Sequence, residues 1–267
     1  MTPGTYSRDA VARYRATMAA DRWAPDALAP IPVELDDRQK LACLHRILAG
    51  IGFNENMAGH VTMAAGDGSD AMWASPWGLW WEEVRASDLC LVDLDGRVLE
   101  GRFSVSPAIF LHTELHRNRP DARVIVHNHP HHATLLATLG LLPEITHQAA
   151  CMFDGGLRLV DEYQGQVLDA DAGAWLADAV GDAIGVILLS HGAIVIGASV
   201  EEATYRAYTF DRMCRITADA VIAGRPTHPI APEHRPGLRD AFRTHALDAF
   251  WNGAVRQVLR ADPSVLR

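Results

Sequence analysis

The sequence predicts an α/β fold, arranged as one domain with an extension at each end. Three observations lead there. Apolar residues at helical spacing alternate along the chain with short apolar runs bounded by Gly, Asp and Pro, the pattern of interleaved helices and strands. With 49% hydrophobic and 21% charged residues and a mean hydropathy of -0.01, the chain is that of an ordinary globular protein and not of a disordered one. Its 267 residues are enough to bury about 75% of the extended surface in one large core.

The elements follow in order. Residues 1–35 hold Pro3, Pro25, Pro30 and Pro32 among scattered polar residues, so they are read as an N-terminal extension with at most a short helix around Arg8 to Ala20. From Asp36-Asp37, residues Leu41, Ala42, Leu44, Ile47 and Leu48 recur at helical spacing, with the acidic pair favouring the helix start and Gly50 its end. Val61-Thr62-Met63, Met72-Trp73-Ala74 and Leu89-Cys90-Leu91-Val92 then read as strands joined by tight turns. Pro107 to Arg117 is a helix bounded by Arg119-Pro120. Val124 to His129 is a buried strand ended by Pro130. Trp175 to Ile184 is helical, and Gly185 to Gly192 is a second buried strand. Ser199 with Glu201-Glu202 starts a helix that runs to Ala223, which closes a domain over residues 36–224. Residues 225–267 form a C-terminal helical extension, with a helix around Leu238 to Leu259.

Charge and cysteine usage narrow the partners. A formal net charge of -9 opposes nucleic acid and anionic lipid, so neither is expected. No apolar run reaches the ~18 residues of a membrane span, and the first residues lack a basic flank followed by an apolar stretch; a cytoplasmic location is expected. Cys43, Cys90, Cys151 and Cys214 lie far apart without a CxxC pair, which points to reduced buried thiols instead of a thiolate zinc site or a disulfide framework.

The chemistry is concentrated in histidine. There are thirteen in the chain. His127 and His129 lie two residues apart, so on a strand they share a face with Cα atoms about 6.8 Å apart, and both rings reach one ion. His191 ends the second buried strand and is followed by Gly192, which makes it the natural third ligand. Three neutral imidazoles leave a coordination position open, as catalytic sites do. The competing reading of an isolated HxH is a pair of ordinary surface or core histidines. His112 and His116, one helical turn apart, are read as packing residues.

Four ordered motifs decide between these readings. Arg119-Pro120-Asp121 through Val124-Ile125-Val126-His127-Asn128-His129-Pro130 resembles the RPD…VVHxH signature of the class II aldolase/adducin family. Gly52 through Ala58-Gly59-His60-Val61-Thr62 resembles its AGNxS turn. Ser75-Pro76-Trp77-Gly78-Leu79 through Ser87-Asp88-Leu89 and Asp93-Leu94-Asp95-Gly96 resembles its PxG…DL…DxxG stretch, in a form close to the adducin-like branch. Leu189-Ser190-His191-Gly192 through Gly197 and Val200-Glu201-Glu202-Ala203 resembles NHG…G…VEEA. The resemblance implies a three-layer αβα fold with a central, largely antiparallel sheet. It also implies a homotetramer with active sites at subunit boundaries, and a divalent cation on His127, His129 and His191. Zinc is the first expectation for that cation, with Fe(II), Mn or Co as the other choices.

The departures from the family pattern shape the functional expectation. The PSSE segment of the sugar-phosphate aldolases corresponds to Val105, Ser106, Pro107 and Ala108, so its glutamate and half its serine pair are missing. The turn asparagine is His60, and the arginine that often follows it is Ala64. An apolar side chain transfers no proton, so the acid/base group lies elsewhere. His60 is the leading candidate, since an unperturbed pKa near 6.5 suits exchange around neutral pH. Trp73, Trp77, Trp80 and Trp81 cluster in the same region; core packing accounts for most of them, and Trp77 with Ser106 is assigned to substrate binding.

The expected function is therefore a metal-dependent carbon–carbon lyase, an aldolase or decarboxylase acting on a non-phosphorylated keto or aromatic carboxylic acid through a metal-stabilised enolate. Two alternatives stand beside it. One is a non-haem iron(II) oxygenase, since a branch resembling this family makes the prenylated hydroxybenzoate unit of aminocoumarin antibiotics. The other is a non-catalytic binding protein of adducin type.

Overall fold

The structure, a computed structural model, describes residues 28–66 and 69–267, together with residues 13 and 16. The helix expected around Arg8 to Ala20 lies outside the described residues. Eight strands form one sheet in the order β4-β3-β2-β1-β5-β8-β7-β6. They are β1 (His60–Ala64), β2 (Ala71–Ala74), β3 (Cys90–Asp93), β4 (Val98–Glu100), β5 (Val124–Asn128), β6 (Leu157–Val160), β7 (Gly185–Leu188) and β8 (Gly192–Gly197). Every neighbouring pair is antiparallel except β6 with β7. The sheet is thus largely antiparallel, as expected.

Helices cover both faces, and the alternation of side chains along the central strands shows why. Val124 and Val126 on β5 and Ala193 and Val195 on β8 join a core with α1 (Asp37–Gly50), α3 (His131–Leu139) and α5 (Val200–Ile222). Ile125, Ile194 and Ile196, one residue out of phase, face α2 (Phe110–Asn118) and α4 (Ala170–Val180) through Leu111, Leu115, Leu176 and Val180. A strand buried on both sides reads as a continuous apolar run, which is what β5 and β8 are. The C-terminal helices α6 (Arg235–Ala241) and α7 (Leu247–Ala261) add Leu238, Trp251 and Val255 to the first core.

Helix α1 begins as its sequence predicts: Asp36 caps Gln39, whose side chain returns the bond in a capping box. Other boundaries shift. Helix α4 starts at Ala170 and not near Trp175, because Asp169 caps Ala172 and the small residues between were not counted as a helix. The expected single C-terminal helix is two, joined by a π-helical turn at Phe242–Ala246. Strands β4 and β6, three and four residues long and each carrying a charge, and helix α3, directly after Pro130, were not expected. The single strand expected over Gly185 to Gly192 is β7 alone, with His191 in the turn that leads to β8. Among the described residues, no helix is long and apolar enough to cross a membrane, and all four cysteines are free and buried.

Candidate active site

His127, His129 and His191 come together. His127 is the penultimate residue of β5, His129 follows that strand, and His191 sits in the tight turn between β7 and β8. Because β8 pairs with both β5 and β7, the turn is held beside the end of β5. One ligand atom from each ring lies within 4.8 Å of the others, and the ring centroids are 4.8 to 5.0 Å apart. Two glycines make the approach feasible. A Cβ on Gly192 would stand 2.6 Å from both the Asn128 carbonyl oxygen and His129 Cδ2, and a Cβ on Gly59, at φ +80°, would meet the Asn128 side chain at 2.4 Å.

The rings are also oriented. His127 Nδ1–H donates to the Ala193 carbonyl at 3.0 Å, which leaves its Nε2 lone pair bare. His129 Nδ1 is 2.8 Å from a Glu55 carboxylate oxygen, an arrangement that fixes the tautomer and raises the basicity of the opposite nitrogen. That opposite nitrogen, His129 Nε2, is buried without a hydrogen-bond partner among the described residues, and an orphaned polar atom inside a protein calls for a ligand. Burial, reinforced by neighbouring histidines, pushes the His191 pKa down to about 4 and that of His127 well below the usual imidazole range. The His127 and His191 rings are therefore neutral near pH 7, the form that binds metal. Bare nitrogens, an orphaned atom and an all-imidazole donor set together fit a divalent cation such as zinc.

The three rings open onto a cavity of about 340 Å³ lined by His60, Trp77, Ser106, Pro107, Ala108 and Leu111, with Val167 and Leu168 closing another side. This size suits a small organic ligand. Ala108 occupies the wall where the resemblance would put a glutamate, and it brings no proton to the site. Ser106 caps the turn that leads into α2, accepting from Ala108 N–H at 3.2 Å, so its hydroxyl proton stays available to a ligand. Trp77 is 38% exposed at the cavity, whereas Trp81 is buried against His45 and Trp73 stacks under Arg38. The tryptophans thus divide: Trp77 borders the cavity, Trp73 and Trp81 pack, and Trp80 is exposed on the surface.

His60 lies directly across the β1–β5 ladder from His127, their rings 5.1 Å apart. Its near-neutral pKa expected from the sequence is not what the site imposes: burial first, then His129 and His191, push it down to about 3. At neutral pH the ring is an uncharged acceptor. Its Nδ1 is 2.8 Å from His112 Nε2, so His112 joins the site instead of merely packing. Glu55 was not singled out from the sequence at all. It lies in the Gly52–His60 loop, but nothing local says that its carboxylate reaches a ring 74 residues away.

Residues 39–218 match the family described as Class II Aldolase and Adducin N-terminal domain. The chain belongs to the class II aldolase and adducin family. Among its relatives, the 3,4-dihydroxyphthalate decarboxylase of Arthrobacter keyseri is 34% identical over 241 residues, 84% of this chain and 94% of that protein. The 4-hydroxy-3-prenylphenylpyruvate oxygenase/4-hydroxy-3-prenylbenzoate synthase of Streptomyces roseochromogenus subsp. oscitans is 30% identical over 78% of this chain and 75% of its own length. Aromatic acids thus figure in the names of two class II aldolase relatives of this chain. The L-fuculose 1-phosphate aldolase of Glaciozyma antarctica PI12 shares the fold, with a TM-score of 0.76 at 24% identity over 92% of this chain and 97% of that one.

Proposed function

We propose that this protein is a metal-dependent carbon–carbon lyase that decarboxylates a non-phosphorylated, hydroxylated aromatic carboxylic acid. The observation that carries the reading is the opening of three clustered imidazoles onto a largely apolar cavity whose glutamate position is Ala108. The relative named 3,4-dihydroxyphthalate decarboxylase supports the substrate class. His127, His129 and His191 hold the divalent cation, zinc in the first instance. When bound, such a cation supplies Lewis-acid stabilisation of negative charge on substrate oxygens.

The remaining roles belong to the chain itself. Trp77 and Leu111 contact the ring face of the substrate, and the Ser106 hydroxyl donates to a substrate oxygen. His60, uncharged, accepts a hydrogen bond from a substrate hydroxyl. As carbon dioxide leaves, its bonding electron pair stays on carbon, and that carbon takes up the hydroxyl proton passed on by way of His60, which ends uncharged. Apolar walls keep water from the developing charge. We place the enzyme in the cytoplasm as a homotetramer with its sites at subunit boundaries, as the family resemblance implies.

The test is carbon dioxide release from 3,4-dihydroxyphthalate and related hydroxybenzoates without oxygen, by zinc-loaded protein, chelator-treated protein and the His127→Ala variant. Release by the loaded protein alone is expected. Equal release by the metal-free or variant protein, or turnover only with iron and oxygen, would overturn the reading; the second result would instead favour the chemistry named for the Streptomyces relative.

A further inference from the structure

The cavity beside the three histidines changes character between its buried and its exposed parts. His60, Ser106 and His127, the polar groups on which the decarboxylase reading draws, are buried, next to apolar Leu111 and Val167. Four lining residues are exposed and form the mouth, and three of them are apolar: Trp77, Pro107 and Leu168. The fourth, Gln166, is polar but uncharged. Leu168 keeps 49% of its surface in solvent and lies at the end of residues 161–168, which form neither helix nor strand. Among the described residues that line the cavity there is no Asp, Glu, Lys or Arg.

We propose that the mouth formed by Trp77, Pro107 and Leu168 is a subsite for an apolar ring substituent, so that the substrate is an alkyl-substituted hydroxybenzoate and not a dicarboxylate.

The proposal rests on the aromatic-acid reading and deepens it. Volume supports it first. The cavity, at about 340 Å³, is more than twice the ~150 Å³ that encloses one benzene ring. A ring whose carboxylate and hydroxyl reach the cation and His60 spends its polar groups in the buried part and leaves the mouth to whatever else it carries. Exposure supports it second. Trp77 and Leu168 leave large apolar side chains in water beside the bound ring, and covering such surface contributes to binding in proportion to the area removed from water. Pro107 and Trp77 are stiff, so little freedom is lost when they are covered. A second carboxylate in the same place finds no cationic side chain among the lining residues and covers no apolar surface well, so it gains nothing there.

Isothermal titration of the zinc-loaded, native oligomer tests the subsite without recourse to turnover. The ligands are salicylate, its methyl to butyl homologues substituted meta or para to the carboxylate, and the acids with a second carboxylate at the same carbons. Full burial of a methylene gives about fourfold in affinity, and a half-exposed mouth about twofold. In at least one alkyl series Kd should therefore tighten by about tenfold or more from hydrogen to butyl, while the dicarboxylates bind no better than salicylate. Leu168→Ala should cut the butyl gain to about threefold with zinc content unchanged, and Leu168→Met should keep most of it. Affinity that is flat in both series, as a mouth covered by a second copy of the chain would give, overturns the proposal. So does a dicarboxylate that binds as tightly as the butyl acid, or a butyl gain undiminished in Leu168→Ala. A gain with chain length but no carbon dioxide release refutes the decarboxylase reading and leaves the subsite standing. Release from salicylate at flat affinity refutes the subsite alone, and if none of these acids binds, both fall.

Discussion

Removing the Glu55 carboxylate should weaken zinc binding without touching a ligand. The side chain stands 2.8 Å from His129 Nδ1 and is about half exposed, at 53%. Partners of this kind orient the ring and make its other nitrogen a better donor, and their loss typically costs about 10- to 100-fold in metal affinity. Solvent competes for a half-exposed carboxylate, which places Glu55→Ala at the lower end, about tenfold or ~1.4 kcal/mol. Glu55→Gln keeps an acceptor oxygen but not the charge, so its loss should be smaller, about threefold. Competition between the protein and a chromophoric zinc chelator, at neutral pH and low salt, measures both. A Glu55→Ala protein that binds one zinc per chain with wild-type affinity would refute the reasoning, because His129 would then need no help in presenting Nε2.

Three further outcomes follow from other parts of the molecule. Gly192→Ala places a Cβ 2.6 Å from His129 Cδ2 and from a rigid backbone oxygen, so zinc affinity should fall by at least about tenfold with the circular dichroism spectrum preserved. Trp77→Ala should raise KM for the aromatic acid by about tenfold and leave kcat within about twofold, as steady-state kinetics will show. His45 is fully buried, bonded to the Leu41 carbonyl and Ser75, and burial lowers its pKa from 6.5 to about 4. The unfolded chain therefore binds a proton there more readily than the folded one. Its contribution is complete above pH 6.5 and is lost as pH falls towards 4, by about 3 kcal/mol in all. Urea midpoints compared at pH 7 and pH 5 should fall less in His45→Gln than in the wild type.

What could be read in the sequence was set by how local its cause is. The apolar runs of β5 and β7 and the HxH spacing are local, so those strands were visible, and His191 with Gly192 suggested the turn that completes the trio; β8 was missed, because its apolar run begins at Gly192 where the expected strand was ended. The capping box at Asp36 and Gln39 is likewise contained within one turn of helix. Roles that arise from packing between distant segments were not visible. His112 looks like any core residue of an amphipathic helix until β1, 50 residues away in sequence, sets Thr62 against it. Glu55 looks like a solvated loop charge. His60 was recognised as a residue of the site, but its environment was not: a pKa near the free imidazole value assumed solvent where the fold supplies strand ladders and other rings. Helix α3 was hidden because Pro130 reads as a stop, although its position just before the first helical residue also suits a start.

Visible absorption of the Co(II)-loaded protein, recorded while a hydroxylated aromatic acid is added, tests the metal-site claim most directly. One cobalt per chain is expected in a low-coordinate, strongly absorbing site that His127→Ala abolishes, with bands that shift to saturation as the acid binds. Cobalt that does not bind, or a spectrum that the acid leaves unchanged while it occupies the cavity, would contradict it.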